Sequence, residues 1–353
     1  VGCAFFPTQT AGLRSGNWPF TFGVAVVNGS SETAMIRVEN GDTFIYEFAV
    51  PAQSIGGVDL PDVPGLDNGS AQAEPSIHVP GGAYRLRSDQ PVSVYQYNPN
   101  GTNKQGTNSF ANDSTILFPA HTFGHSYRVV SRNHWVSGQN HRSGFYSVTA
   151  SQDQTSVTLT PSNTGGAVLA GGGVASDGTG VVTLDAGDVL AVYSDSSGGF
   201  PDMSDLTGTL VSADRPIQVI GGHKCTNVPY DVAACERLEE ALVPLHAAGT
   251  EHVVAAPLVS TGGEIPKVQM VRITATADST TLTYSPSVGA PALLAEAGDF
   301  IDIGPLNDDF VVRSDQPVIV SQYMIGQNGG NNTGDPAMLV APPTQQFAQA
   351  FDL

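Results

Sequence analysis

Apolar and polar residues alternate along most of this chain. Runs such as Phe20-Thr21-Phe22-Gly23-Val24-Ala25-Val26-Val27, Val92-Ser93-Val94-Tyr95, Ser156-Val157-Thr158-Leu159-Thr160 and Thr281-Leu282-Thr283-Tyr284 are rich in β-branched and aromatic residues. A period of two sends alternate side chains to a core and to solvent, which is the pattern of a strand. Gly, Asn, Asp and Pro bound these runs, as tight turns require. Helical periodicity is nearly absent. The one stretch that predicts a helix is residues 233–242, with Glu236, Glu239 and Glu240 on it. It spans about three turns at most.

The runs repeat. Thr149-Ala150-Ser151-Gln152-Asp153 through Pro161 matches Thr274-Ala275-Thr276-Ala277-Asp278 through Pro286, so Asp153 and Asp278 open the same turn between two strands. Leu117-Phe118-Pro119-Ala120-His121 matches Leu242-Val243-Pro244-Leu245-His246, and Asp185-Ala186-Gly187-Asp188 matches Glu296-Ala297-Gly298-Asp299. Arg87-Ser88-Asp89-Gln90-Pro91-Val92 recurs almost verbatim at Arg313–Val318, with a looser copy at Ser212–Ile217. Pro suits the start of such a strand, where it sacrifices no ladder hydrogen bond.

These matches predict an all-β protein of three copies, 18–112, 113–236 and 237–335, after an N-terminal segment 1–17. About seven strands per copy predicts tandem antiparallel β-sandwiches; a propeller-like ring of the same repeats is the alternative. Copy one lacks a leading Leu-x-Pro strand. A spare one lies at Met338-Leu339-Val340-Ala341-Pro342, within a closing segment 336–353. That strand predicts either closure of the array or donation to another domain or subunit around Leu339.

Composition narrows the function. Gly (40) and Pro (24) are abundant, as many short strands and turns require. Charged residues are only 13% and hydrophobic residues 40%, which fits a folded chain rather than a disordered one. The net charge is −19, and only Lys104, Lys224 and Lys267 are lysines. Such a surface repels phosphate backbones and anionic lipid, which argues against nucleic-acid and membrane-surface partners. No run reaches the ~18 apolar residues of a membrane span. Cys225 and Cys235 are close enough to close a short loop; Cys3 is left over, a candidate free thiol or intermolecular bridge.

Two segments carry a resemblance. One is Gly222-His223-Lys224-Cys225, then Ala234-Cys235-Glu236-Arg237-Leu238-Glu239-Glu240 and Leu242-Val243-Pro244. The other is Gly334-Asp335-Pro336-Ala337-Met338-Leu339-Val340-Ala341-Pro342-Pro343 with Gln346-Phe347. Together with Gly2-Cys3-Ala4-Phe5-Phe6, Ala83-Tyr84-Arg85 and Asn112-Asp113-Ser114, they resemble the IgGFc-binding protein N-terminal domain family. The likeness is to bacterial members in large secreted or surface proteins of myxobacteria and relatives. It implies an extracellular, secreted or cell-surface, non-enzymatic adhesion module. The family's Cys pair maps onto Cys225 and Cys235.

Candidate sites follow. The Cys225–Cys235 loop reads as a structural staple, or as a recognition loop carrying His223, Lys224 and Tyr230. Trp135 lies in a polar, His-rich loop and is a candidate contact for an extracellular protein or glycan. Trp18, Tyr95, Tyr97 and Tyr323 are further aromatics; Tyr97 and Tyr323 hold matching positions, which predicts a core role for both. His121, His125, His134 and His141 show no two-ligand metal spacing. Asp59, Asp62 and Asp67 in one loop, Asp202 and Asp205 in a second, and Asp308 and Asp309 in a third are oxygen ligands suited to Ca²⁺. No Gly-x-Ser-x-Gly, His-Glu-x-x-His, Walker or Gly-x-Gly-x-x-Gly pattern is present, so catalysis on polysaccharide is the remotest reading and no cofactor is required. A fibre subunit, joined through Cys3 or the strand around Leu339, is the structural alternative.

Overall fold

The computed structural model describes residues 1–13, 21–66, 72–99, 103–104, 107–108, 112–163, 166–196, 199, 204–233, 235–259, 265–329 and 335–347. Trp18, Asp67 and Asp202 lie outside the described residues. The described chain is all-β. Its helical pieces are single 3₁₀ turns at Ala120–Thr122, Leu245–Ala247 and Thr344–Gln346.

Pairing and chain order sort the strands into three groups, called units here; β6 is grouped with unit 1 by chain order, although its pairing is with unit 2. Unit 1 holds β1 (Gly2–Phe5), β2 (Phe22–Asn28), β3 (Ala34–Asn40), β4 (Thr43–Val50), β5 (Ser54–Leu60), β6 (Ile77–Val79), β7 (Tyr84–Asn98), the short β8 (Asn103–Lys104) and β9 (Thr107–Asn108), and β10 (Asp113–Leu117). Unit 2 holds β11 (Gly124–Arg128), β12 (Trp135–Ser137), β13 (Asn140–Arg142), β14 (Gly144–Ala150), β15 (Thr155–Thr160), β16 (Gly180–Leu184), β17 (Val189–Tyr193), β18 (Leu210–Thr226) and β19 (Glu236–Ala241). Unit 3 holds β20 (Gly249–Val254), β21 (Leu258–Val259), β22 (Ile265–Pro266), β23 (Gln269–Ala275), β24 (Thr280–Ser285), β25 (Leu293–Leu294), β26 (Phe300–Leu306), β27 (Phe310–Met324) and β28 (Met338–Ala341).

One long strand is the spine of each unit: β7, β18 or β27. Its first half pairs with the opening strand (β1, β11, β20) and with β3, β15 or β24. Its second half pairs with β2, β14 or β23 and with the closing strand (β10, β19, β28). The spine therefore serves two sets of strands, which curl around one apolar core in a sandwich-like arrangement. The repeated Asp-x-Pro marks the changeover. Asp89, Asp214 and Asp315 each accept the backbone N–H of Met35, Ser156 or Thr281 at 2.8 Å. The proline needs no ladder donor there.

The pairing corrects three expectations. The Leu-x-Pro strand closes a unit instead of opening the next one: β10 pairs with β7, and Pro119 begins the turn into β11. The strand around Leu339 is therefore not spare. β28 pairs with its own spine, Gln322 opposite Leu339, so the ladder supplies its partner within unit 3. Among the described residues no strand pairing joins unit 1 to unit 3. Residues 236–241 form a strand and not a helix, because both faces are buried and Arg237, Glu239 and Glu240 find partners across a unit boundary.

The opening glycine of each unit lies under the proline that follows its closing strand. A Cβ on Gly2, Gly124 or Gly249 would sit 2.4, 2.3 or 2.3 Å from Pro119, Pro244 or Pro343. Apolar clusters run across the boundaries. Phe145, Tyr193 and Ile220 of unit 2 join the core of unit 1, and Met270, Tyr323 and Ile325 of unit 3 join that of unit 2.

Candidate functional site

Two seams hold the units together. In the first, Gln218 donates through Nε2 to the Phe6 carbonyl at 2.9 Å, and the hydroxyls of Thr8 and Thr149 are 2.9 Å apart. Glu239, fully buried, accepts hydrogen bonds from Gln96 and Thr10 and faces Arg237 at 3.2 Å. Glu240 accepts from the Thr115 hydroxyl at 2.9 Å. Burial pushes the Glu240 carboxyl up to about 8, and neighbouring Glu239 adds to it. Burial, then Glu239, also drives the Asp113 carboxyl well above the carboxylate range. β6 extends the edge of unit 2, pairing with β17.

The second seam centres on Arg272, which is buried. It reaches Asp205 at 2.7 Å, Asp302 at 2.7 and 2.8 Å, the Thr207 hydroxyl at 2.9 Å and the Ser131 carbonyl at 3.1 Å. Arg132 also meets Asp302, at 3.1 Å, and its guanidinium lies 4.8 Å over the Tyr323 ring. Burial alone would raise the Asp302 carboxyl, but the two guanidiniums hold it well below the usual range. Gly208 is the tight point: a Cβ there would fall 2.0 Å from the Gly298 carbonyl oxygen.

The Cys225–Cys235 loop of unit 2, whose Val228 carbonyl accepts the Gly326 N–H of unit 3 at 3.0 Å, is built differently. Cys225 and Cys235 form a disulfide that ties the end of β18 to the start of β19. Inside the loop, Asn227 donates to the Tyr230 carbonyl at 3.1 Å. β12 and β13 form a hairpin against this loop, turning at Gly138, whose φ of +59° suits a residue without Cβ. The Val136 N–H donates to the Tyr230 hydroxyl at 3.0 Å. Arg142, paired opposite Trp135, places its guanidinium 4.5 Å over the indole and donates to the Cys235 sulfur. The rings of His134 and His141 are 5.8 Å apart beside it. The hairpin tip also receives Gln72 of unit 1, 3.0 Å from the Gln139 carbonyl. Trp135, Tyr230 and the disulfide, far apart in sequence, thus form one half-exposed cluster.

Other sequence candidates sit elsewhere. His223 and Lys224 lie beneath the cluster, buried, and present no surface. His223 accepts the Cys225 N–H at 3.1 Å on Nδ1 and donates to the Asn133 carbonyl at 3.0 Å through Nε2, tying the end of β18 to the segment before β12. Burial, then His134, drives its imidazole well below its ordinary range, so it is neutral. Burial lowers the Lys224 ammonium to about 8, with Glu74 opposing the shift. Asp205 is a buried seam carboxylate held by Arg272, not an open-loop ligand. Asp62 accepts from Gln9 at 2.7 Å, Asp309 accepts the Ala256 N–H at 2.7 Å, and Asp59 and Asp308 are exposed on different units. Among the described residues no group of three or more His, Cys, Asp or Glu is placed to hold a metal. Tyr323 is buried as expected, but Tyr97 is half-exposed. Cys3 is exposed and unpaired with another cysteine. Arg272 and Arg142 were missed by sequence reasoning. Neither carries a motif; each acquires its role only when distant strands meet.

Loops and hairpins held on a rigid scaffold are where binding residues concentrate. The chain belongs to the IgGFc binding protein family, whose model matches residues 113–353, that is, β10 and units 2 and 3. No curated protein and no solved structure matches the chain. No helix among the described residues is long and apolar enough to cross a membrane. A disulfide fits an extracellular protein.

Proposed function

We propose that this chain is a non-enzymatic, extracellular adhesion module of a bacterial surface or secreted protein, and that the half-exposed Trp135–Tyr230 surface of unit 2 meets its protein partner. The observation that carries the reading is the Trp135 indole, fixed by Arg142 on a platform anchored by the Cys225–Cys235 disulfide. Trp, Tyr and Arg on a rigid support are the residues that dominate binding energy at protein interfaces. A pre-organised cluster also loses little side-chain entropy on binding.

The test is a binding panel with the full chain over immobilised IgG Fc, other extracellular proteins and glycans, each with calcium and with a chelator. Trp135→Ala is expected to weaken the bound partner by about tenfold or more, with thermal unfolding unchanged. Equal binding by Trp135→Ala would remove this surface from the account. A glycan as the sole ligand would replace the protein partner, and loss of binding in chelator would assign a calcium role to the acidic loops that carry Asp59, Asp308 and Asp309.

A further inference from the structure

Each seam follows one plan. The receiving surface is the outer face of the sheet formed by the second half of the spine and its neighbours. In unit 2, β14 and the second half of β18 are buried at every residue; so are β23 and nearly all of the second half of β27 in unit 3. What covers them is the extended segment after the opening strand of the preceding unit. That segment is residues 6–11 in unit 1 and 128–133 in unit 2, by the common offset from Gly2 and Gly124. It supplies the Phe6 carbonyl to Gln218 and the Ser131 carbonyl to Arg272 and Tyr323.

Two such surfaces have no counterpart packed on them among the described residues. On unit 1 the receiving face is open. Ile55 (71% exposed), Val27, Ala25, Tyr95, Tyr97 and Ile116 stand side by side across β5, β2, β7 and β10. Tyr97 occupies the position of Tyr323, whose hydroxyl donates to Ser131 at 3.1 Å in the second seam. Two grooves of about 630 and 480 Å³ meet at Ile55, and Ala25, Gly57 and Tyr97 line the second. On unit 3 the covering segment is residues 253–258 by the same offset from Gly249, and its side chains at 253, 255 and 258 are exposed. Val253 (43% exposed), Ala255 and Leu258 (59% exposed) make it apolar.

We propose that the open face of unit 1 binds residues 253–258 of a second copy of this chain, repeating between molecules the packing step that joins units within one. The two surfaces are apolar, exposed and equivalent to pairs already in contact. A contact between two different surfaces is head-to-tail, so it builds a ring or an open chain of copies and not a closed two-fold pair. The connection between β26 and β27 is only Asn307-Asp308-Asp309. It offers β5 no strand of the kind β6 gives β17, so the step between copies lacks the added strand pairing of the first seam. The net charge of −19 opposes it further, and salt relieves that repulsion. This association is independent of the binding surface on unit 2.

The test is sedimentation velocity of the full chain in a Cys3→Ser background, over rising protein concentration at low and high salt. Mass is expected to rise with concentration, more so at high salt. Ile55→Asp and Leu258→Asp change exposed side chains, so each variant is expected to fold, which its thermal unfolding checks. Each alone is expected to remain monomeric. Their equimolar mixture is expected to form dimers and nothing larger, since one variant keeps an intact face and the other an intact segment. A monomer under every condition overturns the proposal. So does association that survives either substitution, or a mixture that stays monomeric.

Discussion

At the scale of the residue, the seams rest on buried ionisable groups rather than on apolar contact alone. Arg272 neutralises Asp205 and Asp302 and satisfies two further acceptors. Removing one partner of a buried ion pair leaves the other uncompensated, typically at about 3–5 kcal/mol. Arg272→Met is therefore expected to lower unfolding free energy by about that amount in chemical denaturation, and adding Asp205→Asn is expected to recover part of it. The first seam makes stability depend on pH. Glu240 keeps its proton in the folded chain up to about pH 8, while in the unfolded chain it ionises near its ordinary value of 4.5. The folded state thus binds more protons across that window, and stability falls as pH rises through it. Glu240→Gln imitates the protonated form. Its melting temperature is expected to decline less than that of the parent between about pH 4.5 and about pH 8. An identical decline in both would remove Glu240 as a source of the dependence.

At the scale of the element, the repeated motifs were legible because they encode local backbone needs. Asp153 and Asp278 each accept an N–H from the matching Ala-Gly-Asp turn, at Ala186 and Ala297. Gln154 and Ser279 just after them share a φ of +55°. Such requirements recur with the sequence. The phase of the repeat was not legible. Leu117 and Leu242 look like beginnings because the chain runs straight on into the next unit; only pairing shows that β10 and β19 close the unit before. Residues 236–241 misled for a related reason. Their glutamates suit an exposed helix unless Thr10, Gln96 and Thr115 are known to wait across the seam. Of the candidate site, the Cys pair, Tyr230 and Trp135 were readable. Their convergence was not, since Arg142 and the β12–β13 hairpin bring them together. The staple itself is testable. Its ten-residue separation implies about 2–3 kcal/mol of loop-closure entropy. Cys225→Ser with Cys235→Ser is expected to lower stability by that amount and to weaken partner binding along with it.

At the scale of the whole molecule, one packing step used twice explains which surfaces are covered. Units 2 and 3 each have a sheet buried on both faces, and unit 1 has the same sheet with one face in solvent. Unit 1 shares the strand order of the others, although the family match begins only at β10. Topology and seam geometry are thus shared beyond the stretch where sequence likeness is strong. The molecule is a graded stack, anchored at unit 2 and open at unit 1. Native-state hydrogen exchange on the full chain at low protein concentration tests this most directly. The account predicts slow exchange for β17, which β6 and the first seam cover, and fast exchange for its counterpart β5, with the protected cores of units 2 and 3 opening together. Equal protection of β5 and β17, or three units that exchange independently, would contradict it.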